Sequence, residues 1–278
     1  LQEPDSIFFQ DAVDVVISEF NNEQLIHSED LELVNGNNEG QIKDSGLFPQ
    51  DPNWLYKYEL PIDFLNTYEL KIANNSSGNN YISETPIIQD FEIINQFGTS
   101  GFNLADESVN LINWFNADNA AVFQLKININ YTERDTSILN PTTEHLTIER
   151  VLDKEILPQP QASTVKFEFN DDLLFTILNQ EIAFNPKVER CFQGIDIIVS
   201  AGSSDLHKYI LAQQAQSGLT ELQIQPVYTN IDGDQAIGLF ASRTGSRLND
   251  IPISASSLHA IREHPLTASL HFLPFICN

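Results

Sequence analysis

Three places in this 278-residue chain bring together side chains that could do chemistry. The first is His259 and His264, two imidazoles with Glu263 beside the second. A zinc-protease helix sets its histidines at i and i+4 on one face, with a glutamate as base. Here the spacing of five turns a helix by about 500° and leaves the rings roughly 140° apart. Surface or capping roles suit the pair better, and His271 falls in a different expected element. The second place is Asn230-Ile231-Asp232-Gly233-Asp234, which resembles a calcium loop. With Gly233 at the sixth loop position, Tyr228 and Leu239 fall where the first and last oxygen ligands belong. A tight turn explains it better, and a cation held by Asp232 and Asp234 outside any EF-hand is the alternative. The third place, Ala201-Gly202-Ser203-Ser204-Asp205, lacks the second glycine of a nucleophile elbow. A helix cap is its expected role.

Cys191 and Cys277 are the two cysteines. An even count in an exported protein permits a disulfide, and two buried thiols are the alternative. Their wide spacing points to no metal. Trp54, Tyr56 and Tyr58 alternate along one strand, where a strip of rings either stacks on sugars or packs into a core. No Walker or dinucleotide glycine pattern occurs. With 39 Asp+Glu a carboxylate pair for glycoside hydrolysis can be drawn anywhere, so drawing one carries no information. No catalytic residue, cofactor or metal is assigned.

The same acids, set against 14 Lys+Arg for a net charge of −25, leave no basic stripe to displace phosphate counterions. Nucleic acid is therefore excluded as a partner, and anionic membrane surfaces are disfavoured. A hydrophobic content of 41% is too high for disorder. No apolar run reaches the length that spans a bilayer. The chain contains no methionine, so a processed or trimmed piece is expected, with any export signal or lipid-anchor cysteine ahead of Leu1.

Short alternating segments separated by Asn/Gly/Ser turns predict strands from Val13 through Glu84. The turns Asn35–Gly40 and Asn74–Asn80 mark two of the connections. This spacing predicts an immunoglobulin-like β-sandwich over residues 1–86. A β-rich α+β domain is expected over 87–278, so the chain is mainly β with some α. Its longest alternation, Ala121–Tyr131, predicts a strand with one wet face. Asn170-Asp171-Asp172 predicts a helix start, followed by apolar residues at helical spacing through Ile182. Gly194–Ser200 is apolar on both faces and predicts a central strand. Ser203–Asp205 is expected to cap a second helix ending at Gly218. Pro226–Arg243 predicts a hairpin turning at Asp232-Gly233-Asp234. A short helix near Ser254–Arg262 and a strand over Ser269–Phe275 close the chain.

The stretches Asp5–Phe9, Gly46–Phe48, Asn53–Tyr56, Thr67–Ile72, Val188–Arg190, Tyr228–Ile231 and Gly238–Arg243 together resemble a family of secreted Bacteroidetes lipoproteins known mainly as a domain of unknown function. The resemblance implies export, a lipid anchor upstream of Leu1 as the sole membrane tie, and a periplasmic, outer-membrane or cell-surface location. It carries no catalytic residues. The chain departs from the family pattern in lacking a lipobox and in a turn lengthened by Asp234-Gln235-Ala236. The expected function is a non-enzymatic binding or scaffold module whose partner is a surface protein or glycan. A carbohydrate-binding module using Trp54, Tyr56 and Tyr58, or a glycan-acting hydrolase, is the alternative.

Overall fold

The computed structural model describes residues 13–42, 51–95, 97, 101–104, 109–217 and 227–276. Asp5–Phe9, Gly46–Phe48, Gly218 and Cys277, singled out from the sequence, lie outside them. The protein is mainly β, 47% strand against 14% helix, with several antiparallel sheets in a sandwich-like mix. Two compact units share the chain: Leu1–Gln89 with Gly202–Arg243, and Asp90–Ala201 with Thr244–Asn278. Residues 202–243, expected in a contiguous C-terminal domain, group instead with the N-terminal strands.

Unit 1 begins with β1 (Val13–Asn21), β2 (Gln24–Asp30), β3 (Glu32–Asn35), β4 (Trp54–Lys57), β5 (Thr67–Asn74) and β6 (Asn79–Pro86). Four of them form a sheet in the order β2-β1-β5-β6, and β3 pairs with β4 as a ribbon. The β1–β2 link is two residues long, with Asn22 at φ 47 and Glu23 at φ 67. Positive φ at both positions matches the right-handed twist of the flanking strands, though glycine is the relaxed choice for the second. Val15 and Ile17 bury one face of β1. Tyr68 on β5 is 1% exposed, and its hydroxyl donates to Glu19 Oε1 at 2.9 Å.

Unit 2 follows with β7 (Val109–Phe115), β8 (Val122–Asp135), β9 (Thr143–Ile156), β10 (Thr164–Asn170), α1 (Asp171–Glu181) and β11 (Val188–Gly202). β7 and β10 pair antiparallel, while β8 and β9 make a long hairpin. α1 starts where the sequence predicts, with Asn170 Oδ1 accepting from Leu173 N at 3.0 Å. Its Leu174, Ile177 and Leu178 are buried at helical spacing. β11 is buried along both faces, because it lies inside the sheet order β12-β11-β8-β9 rather than at its edge.

The chain then returns to unit 1 through α2 (Ser204–Ser217) before β12 (Arg243–Ile251) and α3 (Ala255–Glu263) complete unit 2. α3 is capped by Ser254, whose Oγ accepts from Ser257 N at 3.1 Å. Two expectations fail here. The hairpin read over Pro226–Arg243 does not form within described residues 227–242: Asp232 makes one isolated bridge to Ile82, and regular strand begins only at Arg243. The amide of Asn230 replaces a strand partner, donating to Phe240 O at 2.7 Å and accepting from Phe240 N at 2.9 Å. The terminal strand read over Ser269–Phe275 is instead a 3-10 turn, Ala268–Leu270. His271 at φ 55 then reverses the backbone before Phe272 bridges to Arg190.

Candidate functional site

The structure joins two of the places that looked chemical in the sequence, through Asp205 and Tyr228. His259 is exposed on α3. His264 is that helix's C-cap, and its ring stacks on Phe175 at 4.5 Å. Asp232 and Asp234 are exposed. Gly233 has a steric reason, since a Cβ there would collide with the Tyr81 ring. Among the described residues no three His, Cys, Asp or Glu side chains are placed to hold a metal ion.

Ser203 sits at the head of α2 with its carbonyl accepting from His207 N at 2.9 Å. Its buried Oγ has no hydrogen-bond partner among the described residues. Asp205 in the first turn accepts from Tyr228 Oη at 2.5 Å and from Lys208 Nζ at 3.2 Å. Burial alone would raise its pKa, but these bonds and one with Asn230 outweigh it and hold the carboxyl below the usual range. Burial first, and then Asp205, pushes the Tyr228 phenol up. The cluster fastens the start of α2 to residues 228–230, and its carboxylate already sits at the helix's positive end.

The three aromatic residues do not make an open strip. All are half-buried. Tyr56 Oη donates to the Val13 carbonyl at 3.2 Å, and Tyr58 meets Tyr68 edge-on at 6.3 Å. Cys191 is disulfide-bonded; Cys277, the other cysteine of the sequence, lies outside the described residues.

Each unit has a cleft that the sequence reading did not identify. The cleft of unit 2, about 430 Å³, is lined by Thr132, Arg134, Thr143, His145, Glu189, Cys191, Leu273 and Phe275. Arg134 Nη2 and Glu189 Oε2 pair at 2.5 Å, and His145 Nδ1 lies 3.3 Å from Gln193 Oε1. Among the described residues, Glu189 is the single carboxylate of this lining. Polar groups from three adjacent strands face an apolar wall there.

The cleft of unit 1 is larger, about 590 Å³, and is lined by Phe20, Asn22, Glu23, Leu65, Thr67, Glu69 and Glu84. Strand register builds it. Ser18, Glu69 and Glu84 form one cross-strand row, and Phe20 with Thr67 begins the next on the same face. The β1–β2 turn brings Asn22 and Glu23. Leu65 arrives on residues 60–65, which also expose Leu60 (44%), Ile62 (58%) and Phe64 (39%). The signal was present in the sequence: a hairpin closing between Asn74 and Asn79 forces Glu69 opposite Glu84. Only the pairing with β1, set across more than forty residues of chain, adds Phe20 and Glu23.

No family model matches the chain, and no curated protein matches it significantly.

Proposed function

We propose that the chain is a non-enzymatic binding or scaffold module of the cell envelope. In this reading it belongs among the secreted Bacteroidetes lipoproteins that its Thr67–Ile72, Tyr228–Ile231 and Gly238–Arg243 stretches resemble. It is exported and held at the periplasmic or outer surface by a lipid anchor ahead of Leu1, and it meets a surface protein or glycan. The observation that carries the reading is the unit 1 cleft, open beside an exposed apolar segment. A contiguous apolar surface rimmed by charge is how soluble domains mark an interaction site.

A second reading, glycan recognition, draws on the unit 2 cleft. Hydroxyl, imidazole, guanidinium and carboxylate groups oppose Leu273 and Phe275 there, a lining that suits a sugar's polar edge and apolar face. Hydrolysis needs two carboxyl groups about 5 to 9.5 Å apart, and the described residues of this lining supply one.

Calorimetric titration of the purified chain with envelope glycans and purified surface proteins tests the proposal, paired with product analysis after prolonged incubation. Saturable binding with every ligand recovered intact is expected. Turnover of any glycan would overturn the non-enzymatic reading.

A further inference from the structure

Glu69 and Glu84 stand directly opposite each other on β5 and β6. Their Cβ atoms are then roughly 5 Å apart, an arrangement that disfavours two like charges. Glu69 is also withdrawn from water, its side chain 12% exposed. Lys71 Nζ lies 2.7 Å from Glu69 Oε1 and answers one charge. Glu23 and Glu84, on the same lining, have no ion-pair partner among the described residues. The cleft therefore keeps two uncompensated negative charges beside hydrocarbon from Phe20 and Leu65. Leu65 is 70% exposed.

A metal ion does not fit, since no three ligating side chains converge among the described residues, and it would leave Phe20 and Leu65 unused. A side chain with a cationic end and an aliphatic stem uses both kinds of lining. Exposed Leu60, Ile62 and Phe64, on the segment that delivers Leu65, add apolar surface for the neighbours of such a residue. The net charge of −25 draws a basic segment in from a distance.

We propose that this cleft receives a lysine or arginine side chain of a partner polypeptide whose flanking residues are apolar. The cationic end meets Glu84 and Glu23, the two acids that no cation among the described residues answers, and the stem lies against Phe20 and Leu65. The proposal rests on the binding-module reading and identifies its protein partner by charge and apolarity.

The test is fluorescence anisotropy with the full chain and a labelled peptide alternating leucine with arginine. A matching peptide carries citrulline, the neutral isostere, at each arginine. The arginine peptide is expected to bind saturably, and the citrulline peptide at least about tenfold more weakly. The double variant Glu23→Gln/Glu84→Gln should lose a similar factor, and Leu65→Ser about threefold or more. Glu144→Gln/Glu168→Gln removes the same charge from exposed positions of unit 2 and should stay within about twofold of the parent. Thermal melts confirm that each variant is folded; Glu23 and Glu84 are both exposed, so folding is expected. The proposal is overturned if the arginine peptide fails to bind, if the two peptides bind equally, or if the cleft variants keep full affinity. Those results leave the module reading standing wherever another envelope ligand binds saturably, whereas glycan turnover strikes that reading alone.

Discussion

Arg190 Nε lies 2.7 Å from Glu133 Oε1, with the arginine side chain 2% exposed and the glutamate 24%. The other two nitrogens of the guanidinium donate to backbone carbonyls, Leu270 at 2.7 Å and Ala183 at 3.0 Å. One buried cation thus ties β11 to β8, to the 3-10 turn and to the exit of α1. Its planar fork reaches three acceptors that a lysine ammonium cannot match in geometry. Arg190→Met should cost about 3–5 kcal/mol, because it strands a partly buried carboxylate and two carbonyls. Adding Glu133→Gln should recover less than half, since the carbonyls stay unpaired. Urea unfolding of the single and double variants measures both.

The acids of the unit 1 cleft work against the fold. Glu84→Gln should raise stability by about 0.2–1 kcal/mol by ending the repulsion across β5 and β6. Glu23→Gly should add about 1 kcal/mol, because Glu23 occupies left-handed backbone at φ 67 that glycine adopts freely. Parallel thermal melts would check both, and a loss of stability in either variant would contradict the assigned strain.

Tyr68 predicts an alkaline limit. Burial, followed by its bond to Glu19, pushes the phenol up to about 12 from 10.0. Below pH 10 it is neutral in both the folded and the unfolded chain, and its contribution is complete. Between pH 10 and about 12 the unfolded chain ionises first and binds fewer protons, so stability falls as pH rises. The loss should approach about 2–3 kcal/mol. Tyr68→Phe should flatten this slope, as followed by urea midpoints alongside tyrosinate absorbance.

Asn230 holds an irregular segment in a strand-like path. Replacing it with leucine removes the bonds to both polar groups of Phe240 and should cost about 1–3 kcal/mol. Asn230→Asp should be no better, because its carboxylate then faces the Phe240 carbonyl without a donor. Faster hydrogen exchange at Phe240 N, with exchange in β8 unchanged, is the expected signature.

The sequence by itself settles what depends on neighbours along the chain. Alternation at period two and Asn/Gly turns predict β1, β5, β6 and β8 within a few residues of where they form. Asn170 and Ser254 mark helix starts because a cap bonds an amide only three residues away. The count of acids excludes a nucleic-acid surface without any coordinates.

Tertiary structure decides the rest, because the deciding contacts join residues far apart in the chain. Residues 227–242 read as two strands about a polar turn, yet the amide of Asn230 satisfies backbone groups that a ladder would otherwise pair, and no sequence pattern reveals that substitution. Residues 202–243 carry no mark of belonging with strands more than a hundred residues earlier. The unit 1 cleft follows the same rule: Phe20, Glu23, Leu65, Glu69 and Glu84 are ordinary where they stand in sequence, and become one site only when the register of β1 on β5 fixes their common face.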